Sequence, residues 1–265
     1  MKKIIFLIVL LHALNLNSNA QTMDNTWEYQ DYGSVFCQPY NESNQPIGWG
    51  TGFITFFKDK NYLITNFHNV SDLDANGNLQ HSKGKPTSLN VFLHLERVGR
   101  YKMVNLELYD KSQKPKYHVI NVNGSLADVV AIEIIMPEEC KYKEITIETP
   151  KSLTPGDRLV VIGYPEFPVG LPIPLMSIGK FVNSEEVQLA LQKLTKVPYS
   201  FIEPTLVKGF SGSPVYKFDA KSNNLTLQGI LALDVNYTSP NGQTLNYGGF
   251  LPAEIIKKLI EKVNN

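Results

Sequence analysis

Short apolar-rich runs bounded by turn residues recur along this chain, and those at residues 89–95 and 102–109 alternate apolar and polar with a period of two. Successive side chains of a strand point to opposite faces, so the pattern predicts β-strands. The runs fall at residues 33–38, 48–57, 62–68, 89–95, 102–109, 117–122 and 126–134, then at 159–165, 176–182, 201–203, 225–233 and 247–251. Turn clusters such as Asn41-Glu42-Ser43-Asn44-Gln45-Pro46 punctuate them. Residues 185–196 stay open between two readings. Val187, Ala190, Leu191 and Leu194 fit a helix started by Asn183 or Ser184, whereas Val187, Leu189 and Leu191 fit a strand. After Pro252, which suits a first helical turn, Ile255, Ile256, Leu259, Ile260 and Val263 form one apolar helical stripe against lysines and glutamates.

About a dozen short strands with one closing helix predict an all-β protein. A charged, proline-bounded stretch at residues 136–150 divides it into two similar halves, residues 21–148 and 149–265. The simplest architecture is two six-stranded antiparallel β-barrels with a cleft between them.

Composition changes this picture little. With 265 residues, 43% of them hydrophobic, the chain can bury a sizeable core. Lysine plus arginine and aspartate plus glutamate both number 25, so no large field of one sign points to nucleic acid. The first twenty residues read as a signal peptide: basic Lys2 and Lys3, an apolar run over residues 4–14, and small residues at Ser18 and Ala20. Cleavage after Ala20 predicts a mature chain that begins at Gln21, with 23 basic and 25 acidic residues, secreted or periplasmic. No later run is long and apolar enough to anchor it in a membrane. Export permits a disulfide, and Cys37 and Cys140 are the only cysteines; a bridge and two buried thiols are both open. No metal and no cofactor are expected.

The candidate chemistry sits in Lys208-Gly209-Phe210-Ser211-Gly212-Ser213-Pro214. A serine between glycines can be a nucleophile, because glycines let backbone N–H groups turn inward on a reacting carbonyl. Taken alone, the string is equally a tight turn between strands. A serine hydroxyl needs a base, usually a histidine oriented by a buried carboxylate. The histidines are His12, His68, His81, His94 and His118, and none follows Ser211. That excludes the Ser, acid, His order of α/β-hydrolases. His68 ends an apolar strand and is the best base. His81 lies in a polar loop and reads as solvated, while His94 and His118 sit in mid-strand. Asp128 opens the apolar run Val129-Val130-Ala131-Ile132, where a carboxylate needs a partner. Asp72, Asp74, Asp110 and Asp157 fall in turn-like contexts.

Leu63-Ile64-Thr65-Asn66-Phe67-His68, Asp128-Val129-Val130-Ala131 and Gly209-Phe210-Ser211-Gly212-Ser213-Pro214 resemble the three signature segments of trypsin-like (chymotrypsin-fold) serine proteases. Gly50-Thr51-Gly52-Phe53-Ile54 is similar to the strand before the histidine in the bacterial branch, which includes HtrA protease domains and glutamyl endopeptidases. The resemblance runs from about residue 33 to 263. It implies a secreted serine endopeptidase with His68, Asp128 and Ser211 as triad and the N–H groups of Gly209 and Ser211 as oxyanion hole. It places Thr205, Leu231, Ala232 and Leu233 at the substrate pocket. Phe210 stands where digestive relatives carry an aspartate, so activation by a freed N-terminus is not implied. Ser213-Pro214 resembles the glutamyl endopeptidase branch, but Leu231-Ala232-Leu233 lacks the histidine that reads glutamate there. No PDZ module is expected after the closing helix. The expected partner is a polypeptide substrate and the expected state a monomer. The alternative function is a catalytically inactive protease-fold binding protein; an esterase is a third reading.

Overall fold

The computed structural model describes residues 33–95, 100–140, 145–148, 150–166, 173–203, 206, 208–220, 224–238, 242 and 244–264. The signal-peptide segment and Thr205 lie outside them. The first half contributes β1 (Ser34–Asn41), β2 (Gly50–Phe57), β3 (Lys60–Thr65), β4 (Pro86–His94), β5 (Tyr101–Glu107), β6 (His118–Val122) and β7 (Ser125–Ile134). They form one antiparallel sheet in the order β5-β4-β1-β2-β3-β7-β6. The second half contributes β8 (Arg158–Gly163), β9 (Leu175–Val182), α1 (Glu185–Gln192), β10 (Ser200–Glu203), β11 (Pro214–Asp219), β12 (Asn224–Thr238), β13 (Thr244–Pro252) and α2 (Ala253–Val263). Its six strands close into a barrel in the order β10-β13-β12-β11-β8-β9. The all-β architecture with a short C-terminal helix is the one expected. The first half differs in detail: its hydrogen-bonded ladder has seven strands and two open ends where a six-stranded closed barrel was expected. Strand pairing is non-local, so period-two patterning finds strands without fixing who their neighbours are.

The alternation sets the core. In β2 and β3, Phe53, Tyr62 and Ile64 join a cluster shared with the second half, whereas Ile54 and Leu63 join the core of the sheet itself. In β7, Ala127, Val129 and Ala131 face the shared cluster, and Val130, Ile132 and Ile134 face the other. Strands covered on both faces read as continuous apolar runs, as these do. The barrel alternates likewise. In β8, Val160 and Ile162 enter the shared cluster, while Leu159 and Val161 pack with Phe210, Val215, Leu231 and Phe250. Ile255, Ile256, Leu259 and Ile260 of α2 dock on the shared cluster.

Two open readings close here. Ser184 accepts the N–H of Val187 at 3.4 Å and caps α1, so residues 185–192 are helical. Cys37 and Cys140 are both free, buried thiols. Within the expected linker, Ile145 is tied to the first half. Its N–H donates to the Ile54 carbonyl at 3.3 Å and its carbonyl accepts Thr55 Oγ1 at 2.7 Å.

Candidate active site

β3 ends at Thr65, three residues short of His68, so the histidine is not on the strand as expected. It sits in a short 3₁₀ turn, Phe67–Asn69, that follows an extended Asn66. The buried Asn66 fixes the entry by donating from Nδ2 to the Asp128 carbonyl at 2.7 Å. Asp128 lies in β7, which pairs with β3. Its carboxylate is buried and accepts twice from one residue: the His68 backbone N–H reaches Oδ1 at 3.1 Å, and His68 Nδ1 reaches Oδ2 at 2.8 Å. A carboxylate facing Nδ1 places the hydrogen there, which leaves Nε2 as the lone-pair nitrogen of the neutral ring. Burial pushes the His68 pKa down, but the charge and hydrogen bond of Asp128, with a further contribution from Asp74, raise it above the ordinary histidine value.

The Ser211 loop joins β10 to β11 and is clamped from three sides. Gly209 and Gly212 have φ of +98° and +90°, a region L-residues with side chains rarely adopt. A Cβ on Gly212 would lie 1.8 Å from the Thr51 carbonyl oxygen, and one on Gly209 would lie 2.6 Å from that of Tyr164. From the first half, the Thr51 N–H donates to the Ser211 carbonyl at 2.8 Å and Thr51 Oγ1 donates to the Gly209 carbonyl at 2.9 Å. The same Oγ1 accepts the Tyr164 N–H at 2.9 Å. Thr65 Oγ1 donates to the Thr51 carbonyl at 2.7 Å, and Asn69 Nδ2 lies 3.0 Å from Thr65 Oγ1 and 3.5 Å from the Ser211 carbonyl. From β12, the Leu231 carbonyl accepts the Gly212 N–H and the Leu231 N–H donates to Ser213, each at 2.9 Å. From within, Phe210 is buried among Leu159, Val161, Ile202 and Phe250. Phe210 is therefore the loop's apolar anchor, a role that an aspartate could not fill without burying a charge.

The structure thus brings all three expected residues to the seam between the halves. His68 and Asp128 are in direct contact. Ser211 is joined to the histidine's turn through Asn69 and Thr51; among the described residues no hydrogen bond links its hydroxyl to the ring. The N–H groups of Gly209 and Ser211 make no hydrogen bond to another described residue. Of the expected pocket residues, Leu231 and Ala232 are buried and Leu233 half-buried. The Leu231 side chain packs in the core with Phe210 instead of facing a cleft, and β12 bulges between Leu231 and Leu233.

Two histidines differ from the sequence reading. His81 is not simply solvated: its Nε2 donates to the His68 carbonyl at 2.9 Å. His94 is buried, with Nε2 2.6 Å from Tyr164 Oη and 3.2 Å from the Ser34 carbonyl. Thr51, Thr65 and Asn69 were not singled out from the sequence. The one available signal was the pair of glycines around Thr51, which marks a close backbone approach. Among the described residues no group of three or more histidine, cysteine, aspartate or glutamate side chains is placed to hold a metal.

A two-half β fold with a part-buried His–Asp pair on one half, tied through Thr51 and Asn69 to a glycine-bounded serine loop on the other, is the arrangement of chymotrypsin-like proteins. Residues 50–222 match the trypsin-like peptidase domain, and the chain belongs to that family. A comparison with curated proteins finds no match. Membership supports a serine protease-type function.

Proposed function

We propose that the protein is an exported serine endopeptidase that cleaves polypeptides through Ser211, His68 and Asp128. The observation that carries this reading is the double grip of Asp128 on His68, at 3.1 Å to the backbone and 2.8 Å to Nδ1, which turns Nε2 away from the carboxylate as a base. Ser211 Oγ adds to the scissile carbonyl carbon while its proton passes to His68 Nε2. The resulting oxyanion takes hydrogen bonds from the N–H groups of Gly209 and Ser211, each such donor contributing about 10²–10³ in rate. The C–N bond then breaks, and the leaving amine takes the proton from His68. Water, deprotonated by the same nitrogen, hydrolyses the acyl ester and restores the serine. Asp128 holds and stabilises the imidazolium.

The missing hydrogen bond between Ser211 and the ring favours a second reading, a binding protein on the same fold. Hydrogen bonds of this kind are often long before substrate arrives. The test is to incubate the mature protein with a proteome-derived peptide mixture and identify new amine termini by mass spectrometry. Cleavage that disappears in Ser211→Ala supports the peptidase; intact peptides with wild type sink it and leave the binding protein.

A further inference from the structure

We infer that the leaving side of the proposed active site selects substrates with an acidic residue shortly after the scissile bond, through Lys83. The inference rests on the peptidase reading and adds a specificity to it. A cleft of about 400 Å³ opens between the loop that follows β1, the loop before β4 and the serine loop. It touches the catalytic constellation at two points. Lys208 precedes Gly209, and His81, which donates to the His68 carbonyl at 2.9 Å, forms part of the wall. None of the wall comes from β12.

In the proposed reaction His68 passes its proton to the leaving amine, so the departing half of the substrate lies on the His68 side. This cleft adjoins His68 through His81, and the departing half is assigned to it on that ground. Its described wall carries two lysines against one carboxylate, although the chain as a whole is neutral. Lys83 and Lys208 face it, and the one carboxylate in the wall among the described residues, Glu166, is bound to Lys208 at 3.0 Å. Among the described residues that leaves the Lys83 ammonium as the cation not matched by an acid of the wall. The loop that carries it is tied to the end of β1, where Asn41 Nδ2 donates to the Lys83 carbonyl at 2.8 Å. Asp74, the nearby acid that acts on His68, is not in the wall. Its carboxylate accepts from the N–H groups of Asn76 and Asn78 and from Asn78 Nδ2, all at 2.8 Å. Trp49 and Ile47 supply an apolar side, so the groove fits a peptide segment with an apolar body and a carboxylate tip.

The test uses the mature protein and internally quenched peptides that differ only in carrying Glu, Ala or Lys at the first three positions after the scissile bond. Wild type should favour Glu over Lys by about two- to fivefold in kcat/KM, the size an exposed ion pair supplies, and the preference should shrink as salt is raised. Lys83→Gln should abolish the preference and Lys83→Glu should invert it. Both variants should hydrolyse a peptide 4-nitroanilide, which has no residue beyond the scissile bond, at the wild-type rate. Nitroanilide hydrolysis without a Glu preference, or a preference unchanged in Lys83→Glu, overturns the inference while leaving the peptidase reading intact. A wild-type protein that cleaves neither substrate class overturns both.

Discussion

The Thr51 backbone donates its N–H to the carbonyl of Ser211 at 2.8 Å, so the first half of the molecule holds the loop that the second half contributes. Thr51 Oγ1 adds two further bonds, to the Gly209 carbonyl and from the Tyr164 N–H, each 2.9 Å. One buried side chain therefore sets the spacing between the serine and the β8 exit. Thr51→Val keeps the shape and removes the hydroxyl. It should cost about 1–3 kcal/mol, because two buried backbone groups lose their partner. Thr51→Ser should restore most of it. Thermal unfolding of the three proteins checks the order, and equal stability of Val and wild type would refute the hub.

Phe210 anchors the serine loop by burial, not by charge. Phe210→Ala should destabilise by about 3–5 kcal/mol, and Phe210→Leu by less than about 1.5 kcal/mol. Phe210→Asp should be at least as damaging as alanine, since its carboxylate would face Leu159, Val161 and Phe250. Chemical denaturation reads all three. An aspartate variant as stable as wild type would mean that the loop does not depend on this cluster.

Asp128 gives activity and stability opposite pH dependences through His68. The raised histidine pKa means that the neutral, basic ring appears only above the ordinary value of 6.5, so kcat/KM should rise with pH through that raised value. Stability runs the other way. Folded His68 holds its proton more tightly than unfolded His68, so this contribution is fully present below 6.5 and is lost as pH rises through the folded value. Asp128→Asn should move the acid limb of the rate profile to lower pH, remove the opposing stability trend and lower kcat by about 10⁴. Rate and melting profiles that keep their wild-type midpoints in Asp128→Asn would contradict the assignment.

The two cysteines should behave as inert thiols. Burial raises both pKa values, with Glu139 adding to the effect at Cys140. A thiol reagent at mildly alkaline pH should label neither in the native protein and both after unfolding without reductant. No labelling of the unfolded protein would show a disulfide instead.

What the sequence revealed, and what it did not, follows from the range of each interaction. The strands and the closing helix were legible because periodicity is local. Val129 to Ile132 read as a buried strand and is one, covered on both faces. The pairing of His68 with Asp128 was legible from residue type and order, since a carboxylate at the head of a buried strand needs a partner. The open order of the first sheet's seven strands was not, because pairing joins residues far apart. Nor was the 3₁₀ turn at His68, which rests on an Asn66 side chain reaching across to β7. His81 looked like a loop residue because its neighbours in sequence are polar; its bond to the His68 carbonyl closes over thirteen residues. Leu231 was expected at a pocket because its run resembles the strand that walls the pocket in the family, yet its backbone binds the loop while its side chain fills the core.

The central claim is that Ser211 is a nucleophile activated by His68, and a fluorophosphonate probe tests it most directly. The intact mature protein should be labelled at one site, mapped by mass spectrometry to Ser211. His68→Ala should slow labelling by about 10²–10⁴, the usual contribution of a general base. A folded wild-type protein that is not labelled at Ser211, or is labelled there at the same rate without His68, would contradict the account.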